Sequence, residues 1–297
     1  INEEWISDKT RYAIDGLSKQ RLDTPYVKLK NKLQPCSWDK AFETIKSKLS
    51  TLSSNQIAAV IGDQADNESI FALKKLFEKI NSNKIAVNQY DYDFLDGSRS
   101  NYIFNSHING IEKADTILLL GVNPRLNAPV INARIRKNFL HRDIKIASIS
   151  SDKFDLTYEY NYLGNNIDVL NDILDKDNEF GKVFFNSNFP MIIIGDEVLN
   201  DPQSKNIQKI CIEILGKANA FRKDWNGFNI MNNAASIVGS LDIINNYSSI
   251  SNSDIFDQSK TGEVKFLFLL GVDENLLEYN DTFIVYQGHH GDSGALR

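Results

Sequence analysis

Four short runs of mostly apolar residues, each ending in glycine, constrain the fold of this chain more than any other feature of its sequence. The runs are IAAVIG at 57–62, TILLLG at 116–121, MIIIG at 191–195 and FLFLLG at 266–271. Five or six residues is the length of a β-strand, and a strand without alternating polar positions is buried on both of its faces. The runs therefore predict parallel sheets that are covered by helices on both sides.

Segments with helical periodicity lie between these runs. Ser37 is a candidate N-cap, and apolar residues recur every three or four positions over 38–52, 67–81 and 203–217. Strands that alternate with helices predict the α/β class. The pattern indicates two doubly wound, mostly parallel-sheet domains of the Rossmann-like kind.

A length of 297 residues is enough for about two domains. We expect residues 1–36 to be a connector, 37–155 a first α/β domain and 156–297 a second one, with truncation at its C-terminus left open. The polar, turn-rich stretch 245–263 is predicted to be a surface loop or a boundary inside the second domain.

The four glycines begin a recurring turn. AAVIGDQ (58–64) and MIIIGDE (191–197) continue with an acid, whereas ILLLGVN (117–123) and LFLLGVD (267–273) reach Asn or Asp two residues later. Glycine allows a sharp turn and a close approach of the backbone, and Asn or Asp can cap the following helix. Ligands of doubly wound sheets bind beyond the carboxyl ends of the strands, so these turns are the candidate site.

Two interpretations of these turns stay open. In one, the turns hold a dinucleotide-like cofactor, with Asn123 or Asp273 binding a ribose or a base edge. In the other, they are ordinary strand-to-helix turns with capped helices. The residues favour the second interpretation, because the chain has neither a G-x-G-x-x-G fingerprint nor a G-x-x-x-x-G-K-[ST] phosphate loop.

Other residue types that carry chemistry are sparse. His289 and His290 stand beside Asp292 in QGHHGD, which favours a turn over a metal site because no third ligand stands at a known spacing. Cys36 and Cys211 are too few for a disulfide framework, a four-ligand zinc site or an iron–sulfur cluster. The sequence also lacks the G-x-S-x-G elbow of serine hydrolases.

Charge and sequence ends bound the class of protein further. Lys and Arg number 33 against 39 Asp and Glu, and the net charge of −6 does not favour nucleic-acid binding. We interpret Arg125, Arg134 and Arg136 as an ion-paired or solvated helix face rather than an anion site.

No apolar run approaches the ~20 residues of a membrane helix, and no signal peptide is visible. Because the sequence starts at Ile1, we expect it to be a piece of a longer protein.

Several blocks of the sequence resemble one known family nearly from end to end. They are, in chain order, NEEWISDKTRYAIDGLSKQRL (2–22), SWDKAF (37–42), RSNYIFN (99–105), ADTILLLGVNPRLNAPVINARIRK (114–137), WNGFNIMNNAASIVGSLD (225–242), KFLFLLGVDE (265–274) and VYQGHHGDSGA (285–295). Together they are similar to the large peripheral-arm iron–sulfur subunit of respiratory complex I, the bacterial NADH:quinone oxidoreductase. The similarity lies in the part of that subunit that follows its last iron–sulfur cluster.

The resemblance implies a fold of the molybdopterin oxidoreductase type, with no catalytic residue and no metal ligand in this chain. It also implies vestigial turns of the kind that bind pterin nucleotides, formed by Gly121, Asn123, Pro124, Gly271 and Asp273.

The resemblance has further implications for cofactors. It places the 2Fe-2S and 4Fe-4S clusters of the parent subunit upstream of Ile1 and no cofactor in this part. Molybdenum enzymes of the family usually place a Cys, selenocysteine or Ser ligand early in this region, where Ser98 or Ser100 could stand in.

The leading hypothesis is a structural part of a proton-translocating NADH dehydrogenase, which carries electrons from NADH towards quinone. The expected partners are other subunits of the respiratory complex, including the NADH-binding flavin subunit, with no nucleic acid and no direct membrane span. The expected location is the cytoplasmic face of the bacterial inner membrane, or the matrix side in mitochondria. One alternative is an active molybdopterin-dinucleotide oxidoreductase, similar to formate dehydrogenase. Another is a free-standing nucleotide-binding module.

Overall fold

The structure is a computed structural model that describes residues 4–30, 32–87, 92–175, 177–244, 250–272 and 281–290. The chain divides into two compact units. Unit 1 combines Ile1–Arg11 with Tyr92–Asn233, and unit 2 combines Tyr12–Asp91 with Ala234–Arg297.

The secondary structure of the described residues alternates between strands and helices for most of the chain. The strands are β1 (Tyr26–Leu29), β2 (Lys32–Pro35), β3 (Ile57–Ile61), β4 (Ile85–Ala86), β5 (Thr116–Leu120), β6 (Lys145–Ile149), β7 (Asn161–Tyr162), β8 (Pro190–Ile194), β9 (Phe221–Arg222), β10 (Trp225–Asn226), β11 (Phe228–Ile230), β12 (Phe266–Leu270) and β13 (Phe283–Gln287). The helices are α1 (Asp8–Ala13), α2 (Trp38–Leu49), α3 (Asn67–Lys79), α4 (Pro124–Asn127), α5 (Pro129–His141), α6 (Val169–Leu174), α7 (Glu179–Phe185), α8 (Asp196–Leu199), α9 (Ser204–Lys217), α10 (Ile237–Ile244) and α11 (Asn252–Lys260).

A parallel sheet forms the centre of unit 1. Its described strands have the order β11-β8-β5-β6-β7, and every neighbouring pair is parallel. All residues of β5 and β8 are buried. Helix α9 packs on β8 and β11 and buries Ile207, Cys211 and Ile214. The continuous apolar runs therefore form strands because both faces of the sheet are covered.

A second parallel sheet forms the centre of unit 2, with the described strands in the order β13-β12-β3-β4. Successive residues of β3 point to opposite faces of this sheet. On one face Ile57, Ala59 and Ile61 share a core with residues of α3. On the other face Ala58 and Val60 share a core that includes residues of α11. The run IAAVI thus supplies two apolar layers at once.

The predicted fold class is confirmed, because both units are α/β with parallel sheets. The division into domains differs from the expected one. Strands β5 and β6, which precede residue 155, share a sheet with β8 and β11, which follow it. Strand β3 pairs instead with β12, near the other end of the chain. Local periodicity specifies strands but not their partners, since parallel neighbours are joined by long crossovers and need not be consecutive in the chain.

The stretch 245–263 is not a loop throughout, because residues 252–260 form helix α11. Ser251 caps this helix by accepting a hydrogen bond from the backbone N of Asp254 at 3.0 Å. The composition NSDIFDQSK hid the helix, because it has only two apolar residues: Ile255, which is buried in the core, and Phe256, which packs against that core. The expected connector at 1–36 likewise contains α1 and the antiparallel hairpin of β1 and β2.

The N-cap of α3 makes a testable contribution to stability. The Asp66 carboxylate accepts hydrogen bonds from the backbone N and the hydroxyl of Ser69, both at 2.8 Å, and these bonds lower the pKa of Asp66. Asp66→Ala is expected to lower the free energy of unfolding by about 1 kcal/mol at pH 7. A group with a lowered folded pKa stabilises above its unfolded pKa and loses that effect as pH falls through the folded pKa.

The difference between the wild type and Asp66→Ala should therefore shrink below about pH 4. Urea denaturation followed by circular dichroism at pH 7 and pH 3 measures it. Asp66→Asn, which keeps a capping oxygen, is the matched control. An equal loss for Ala and Asn at pH 7 would contradict the capping role.

Candidate functional site

The glycine turns of unit 1 lie where the chain reverses its direction across the sheet. From β5 the chain adds β6 and β7 on one side, and it then returns to add β8 and β11 on the other side. The carboxyl ends of β5 and β8 therefore form the topological switch point, where doubly wound sheets bind their ligands. The corresponding switch point of unit 2 lies between β3 and β12.

Two glycines meet at the switch point of unit 1. Gly121 follows β5 with φ +59°, a conformation that favours glycine. Gly195 follows β8, and a Cβ at this position would lie 2.6 Å from the Gly121 carbonyl oxygen and 2.5 Å from the Cβ of Val122. The backbone N of Gly195 donates to the Leu120 carbonyl at 3.0 Å. Only a glycine at 195 leaves space for the neighbouring turn.

The switch point of unit 2 repeats this arrangement. Gly271 follows β12 with φ +66°, and a Cβ at Gly62 would lie only 2.1 Å from the Gly271 carbonyl oxygen. The backbone N of Gly62 donates to the Leu270 carbonyl at 2.8 Å, as Gly195 does to Leu120. Each unit thus has two strand-end turns that pack against each other. One is a Gly-Val turn whose glycine has a positive φ, and the other is a Gly-Asp turn.

Asn123 and Pro124 build the start of α4. The Asn123 side chain accepts a hydrogen bond from the backbone N of Leu126 at 3.3 Å, and Pro124 is buried in the first turn of the helix. A capping Asn followed by Pro is a strong start for a helix. Asn123 therefore caps a helix, as the second of the two interpretations predicts for such a turn. Binding of a pterin nucleotide by Asn123 stays a prediction.

Side chains of unit 1 fill the space beside Gly121. A Cβ at Gly121 would lie 2.8 Å from Cγ2 of Val198 and 3.0 Å from Cβ of Glu197. Val122 and Val198 are buried. The Glu197 carboxylate reaches the second residue after the end of β6, where it accepts from the backbone N and the hydroxyl of Ser151, both at 2.9 Å.

This packing does not fit a nucleotide phosphate against the β5 turn. Val198 and Glu197 occupy the space on the Cβ side of Gly121, and the adjacent donors of Ser151 already bind a carboxylate. Glu197 was not predicted from the sequence, although it stands two residues after the glycine of MIIIGDE. Its role depends on Ser151, whose position beside it only the sheet order reveals.

The turn of unit 2 is described only in part. The backbone N of Gly271 donates to the Gln287 carbonyl at 2.8 Å, and no described atom beyond Gly271 and its two chain neighbours lies within 4 Å of its Cβ position. The predicted residue Asp273 lies outside the described residues. At the positions that correspond to Glu197 and Val198, two and three residues after Gly62, unit 2 carries Gln64 and Ala65.

The histidines and serines of the sequence analysis do not assemble a metal site among the described residues. The Nδ1 atoms of His289 and His290 lie 2.5 Å apart on exposed rings, and Asp292 is outside the described part of the chain. The Ser98 and Ser100 hydroxyls lie 2.8 Å apart on the surface. In the part that the structure describes, no three His, Cys, Asp or Glu side chains form a group that could hold a metal.

The three arginines bind acceptors of the protein, as an ion-paired helix face predicts. Arg125 lies 2.5 Å from the Asp155 carboxylate, and Arg136 donates to a backbone carbonyl. The pKa of Asp155 is lowered by the backbone N–H of Thr157 and by Arg125. Arg134 differs from the other two arginines because it is buried, and it pairs with the Glu112 carboxylate at 3.0 Å. The charges of Arg125 and Arg134 are thus paired with carboxylates of the protein, whereas Arg136 binds a neutral carbonyl group.

The two cysteines differ in environment, which gives a simple chemical test. Cys211 is completely buried in α9, and burial raises the pKa of its thiol to about 12. Cys36 is partly exposed. Because thiolates react and buried thiols do not, a chromogenic disulfide reagent should titrate one thiol in the native protein and two in denaturant. Rapid reaction of both native thiols would contradict the packing of α9.

Comparison with known proteins decides the family. Residues 21–297 match the family model described as Molybdopterin oxidoreductase. The chain belongs to the molybdopterin oxidoreductase family. Residues 1–15 match a second model, described as NADH-ubiquinone oxidoreductase NDSU1/NuoG-like, 4Fe-4S domain.

Relatives of this family member include subunits of complex I. The chain is 40% identical over 297 residues to the G subunit of NADH-quinone oxidoreductase from Rickettsia prowazekii, covering 100% of this chain and 42% of the relative. It is also 40% identical over 306 residues to the mitochondrial NADH-ubiquinone oxidoreductase 78 kDa subunit of Candida albicans, covering 99% of this chain and 40% of the relative. The chain thus spans about two fifths of the length of these relatives. The resemblance to the large peripheral-arm subunit of complex I is confirmed.

A solved structure agrees on the fold. Acetylene hydratase from Pelobacter acetylenicus superposes with a TM-score of 0.53 at 12% identity, covering 96% of this chain and 55% of that one. At this identity the likeness concerns the fold alone.

Across the helices that the structure describes, we find none with the length and apolar character needed to cross a bilayer.

Proposed function

We propose that this chain is the molybdopterin oxidoreductase-type part of the large peripheral-arm subunit of complex I. Its role there is structural, within an NADH dehydrogenase that passes electrons from NADH towards quinone through iron–sulfur clusters. The similarity to that subunit along the whole chain supports this assignment. In this proposal the 2Fe-2S and 4Fe-4S clusters belong to the portion of the subunit that precedes this chain, consistent with the 4Fe-4S domain match at 1–15.

The packing of side chains at the switch point of unit 1 is the observation that supports a structural role for this chain. Val198 and Glu197 pack directly beside Gly121, and the Glu197 carboxylate accepts two hydrogen bonds from Ser151. A family member with this turn filled by its own side chains keeps the fold without the usual ligand contact at that point. The two α/β units would then cover the clusters and dock on neighbouring subunits.

The proposed partners are the other subunits of the respiratory complex, including the NADH-binding flavin subunit. The proposed location is peripheral, on the cytoplasmic face of the bacterial inner membrane or on the matrix side of the mitochondrial one. Complex I membership of the relatives supports both statements.

Metal and pterin analysis of the purified complex tests the proposal. The 297-residue chain is expected to carry neither molybdenum nor iron in stoichiometric amount, and the assembled complex is expected to contain iron but no molybdenum. Mass spectrometry of the metals and fluorescence of oxidised pterins give the two readouts. Stoichiometric molybdenum with a pterin dinucleotide would instead support an active molybdopterin oxidoreductase.

A further inference from the structure

Four basic residues gather at a single glutamate on the surface of unit 1. The Glu112 carboxylate pairs with Arg134 at 3.0 Å and lies 3.9 Å from the Lys137 ammonium. Arg142 donates from Nη1 to the backbone carbonyl of Glu112 at 2.5 Å, and Lys113 is the next residue in the chain. This group of residues has an excess of three positive charges, although the net charge of the whole chain is −6.

Three of these basic side chains, those of Lys113, Lys137 and Arg142, are exposed, and we call them the basic patch. Glu112 is the only acid of the described residues within ion-pair distance of the group, and its nearer partner is Arg134. The bond from Arg142 goes to a neutral carbonyl group. The positive charge of the basic patch is therefore largely uncompensated within the described part of unit 1.

Buried side chains hold the backbone beneath the basic patch. Asn138 donates to the carbonyl oxygens of Ile111 and Ala114, which lie on either side of residues 112 and 113. Arg134, which is also buried, holds Glu112. The backbone of this surface is thus fixed before any partner arrives, and a partner does not have to pay the entropy of ordering it.

The basic patch lies at the amino edge of the unit 1 sheet. Lys113 stands three residues before β5 and Arg142 three residues before β6, and these two strands are parallel neighbours. Ligands of doubly wound sheets bind at the opposite edge, beyond the carboxyl ends of the strands. The basic patch is therefore a surface separate from the glycine turns.

The acids nearest to the basic patch in sequence have partners of their own. The Asp115 carboxylate accepts three hydrogen bonds from residues 187–189. Asp143 pairs with Lys145 at 2.6 Å. Both acids line a groove of about 380 Å³ at the same edge of the sheet. These contacts leave the excess positive charge of the basic patch in place, and the groove marks the border of the patch.

The number of charges favours a protein partner over other anionic surfaces. Basic clusters that recognise anionic lipids hold about four to eight Lys and Arg residues, and binding to nucleic acid neutralises a series of phosphates. The patch has fewer cations, and the net charge of −6 opposes both of these partners. A few matched charges are sufficient to orient two protein surfaces.

We infer that the basic patch is a docking surface for an acidic segment of a protein partner. Asp or Glu carboxylates of that segment bind Lys113, Lys137 and the guanidinium of Arg142, which can hold a carboxylate with two parallel hydrogen bonds. The inference does not depend on the assembly proposed above, because the partner is defined by its charge alone.

Titration of the 297-residue chain with a fluorescent oligoglutamate peptide, followed by anisotropy at low ionic strength, tests the inference. We expect saturable binding that weakens as salt is raised to about 0.15 M, and no binding of an oligoglutamine peptide. Lys113→Gln combined with Lys137→Gln should raise the dissociation constant at least about fivefold, because two ion pairs are lost.

Lys209→Gln combined with Lys223→Gln is the matched control, since it changes the net charge equally at exposed positions of unit 1 outside the patch. It should change the dissociation constant by less than about twofold. Equal weakening in both double variants, or no saturable binding by the wild type, would overturn the inference. Tighter binding to phosphatidylserine vesicles than to the peptide would overturn it in favour of a lipid surface.

Carbodiimide coupling of the parent protein, purified together with its partners, gives an independent readout, because it joins lysines to carboxylates in contact with them. Mass spectrometry should find Lys113 or Lys137 joined to an Asp or Glu of another chain. The pair of Lys145 and Asp143 is the internal control. If this pair couples while Lys113 and Lys137 form links only within their own chain, the inference is wrong. The identity of the linked chain tests the proposed assembly separately.

Discussion

Gly62→Ala is expected to lower the free energy of unfolding by about 3 kcal/mol or more, the largest loss among the substitutions considered for unit 2. The added Cβ would lie 2.1 Å from the carbonyl oxygen of Gly271 and 2.5 Å from its carbonyl carbon. Both atoms belong to the backbone of the neighbouring turn, so no side chain can rotate away. Relief would require β3 and β12 to separate, which breaks the bond from the Gly62 N to the Leu270 carbonyl.

Thermal unfolding followed by circular dichroism measures this effect, with an expected fall in Tm of about 6–12 °C. Gly216→Ala is the matched control, because it stands in helix α9 and no described atom beyond its own helix backbone and chain neighbours lies within 4 Å of its Cβ position. Alanine there should raise stability by up to about 1 kcal/mol. A Gly62→Ala protein that melts with the wild type would show that the two turns do not approach as described.

Asn138→Leu is expected to destabilise unit 1 by about 2–4 kcal/mol, although leucine is the more apolar residue. Asn138 lies on α5 and is 4% exposed. Its amide nitrogen donates to the carbonyl oxygens of Ile111 at 2.7 Å and Ala114 at 2.9 Å. Leucine would leave both carbonyl groups buried without this donor, and each unsatisfied group costs about 1–3 kcal/mol.

Chemical denaturation measures this loss as a fall in the midpoint concentration. Asn206→Leu, the same substitution at an exposed position of α9, is the control and should change stability by less than about 0.5 kcal/mol. If Asn138→Leu matched that control, the hydrogen bonds to the segment before β5 would contribute nothing. Asn138→Asp should be at least as harmful as leucine, because it removes both amide donors and buries a charge.

Much of the sheet architecture was predictable from the sequence. The runs IAAVI, TILLL and FLFLL form strands with the expected bounds. A strand that is apolar at every position has no solvent-exposed face, so its sequence alone marks it as a buried strand. The division into units was not predictable. Periodicity reports burial of a segment and not its neighbour, so the pairing of β3 with β12 was invisible.

The candidate site was predictable in the same limited sense. Recurring glycine turns marked Gly121 and Gly271 as strand ends, and the capping role of Asn123 followed from its place before a helix. The contact of Glu197 with Ser151 joins residues 46 positions apart across the sheet. Neither residue type is unusual on a surface, so only the strand order identifies their contact.

The interrupted path of unit 2 has a consequence for the order in which the protein is made. Strand β3 emerges early from the ribosome, but its partner β12 is about 200 residues further on, and all of β5 to β11 comes between them. All described strands of the unit 1 sheet are synthesised before β12, whereas one edge of β3 stays unpaired until β12 is available. Strand pairings between residues distant in sequence form slowly, and unpaired strand edges are prone to aggregate. The newborn chain is therefore most vulnerable during the interval in which unit 1 is already folded and unit 2 still lacks its last strands.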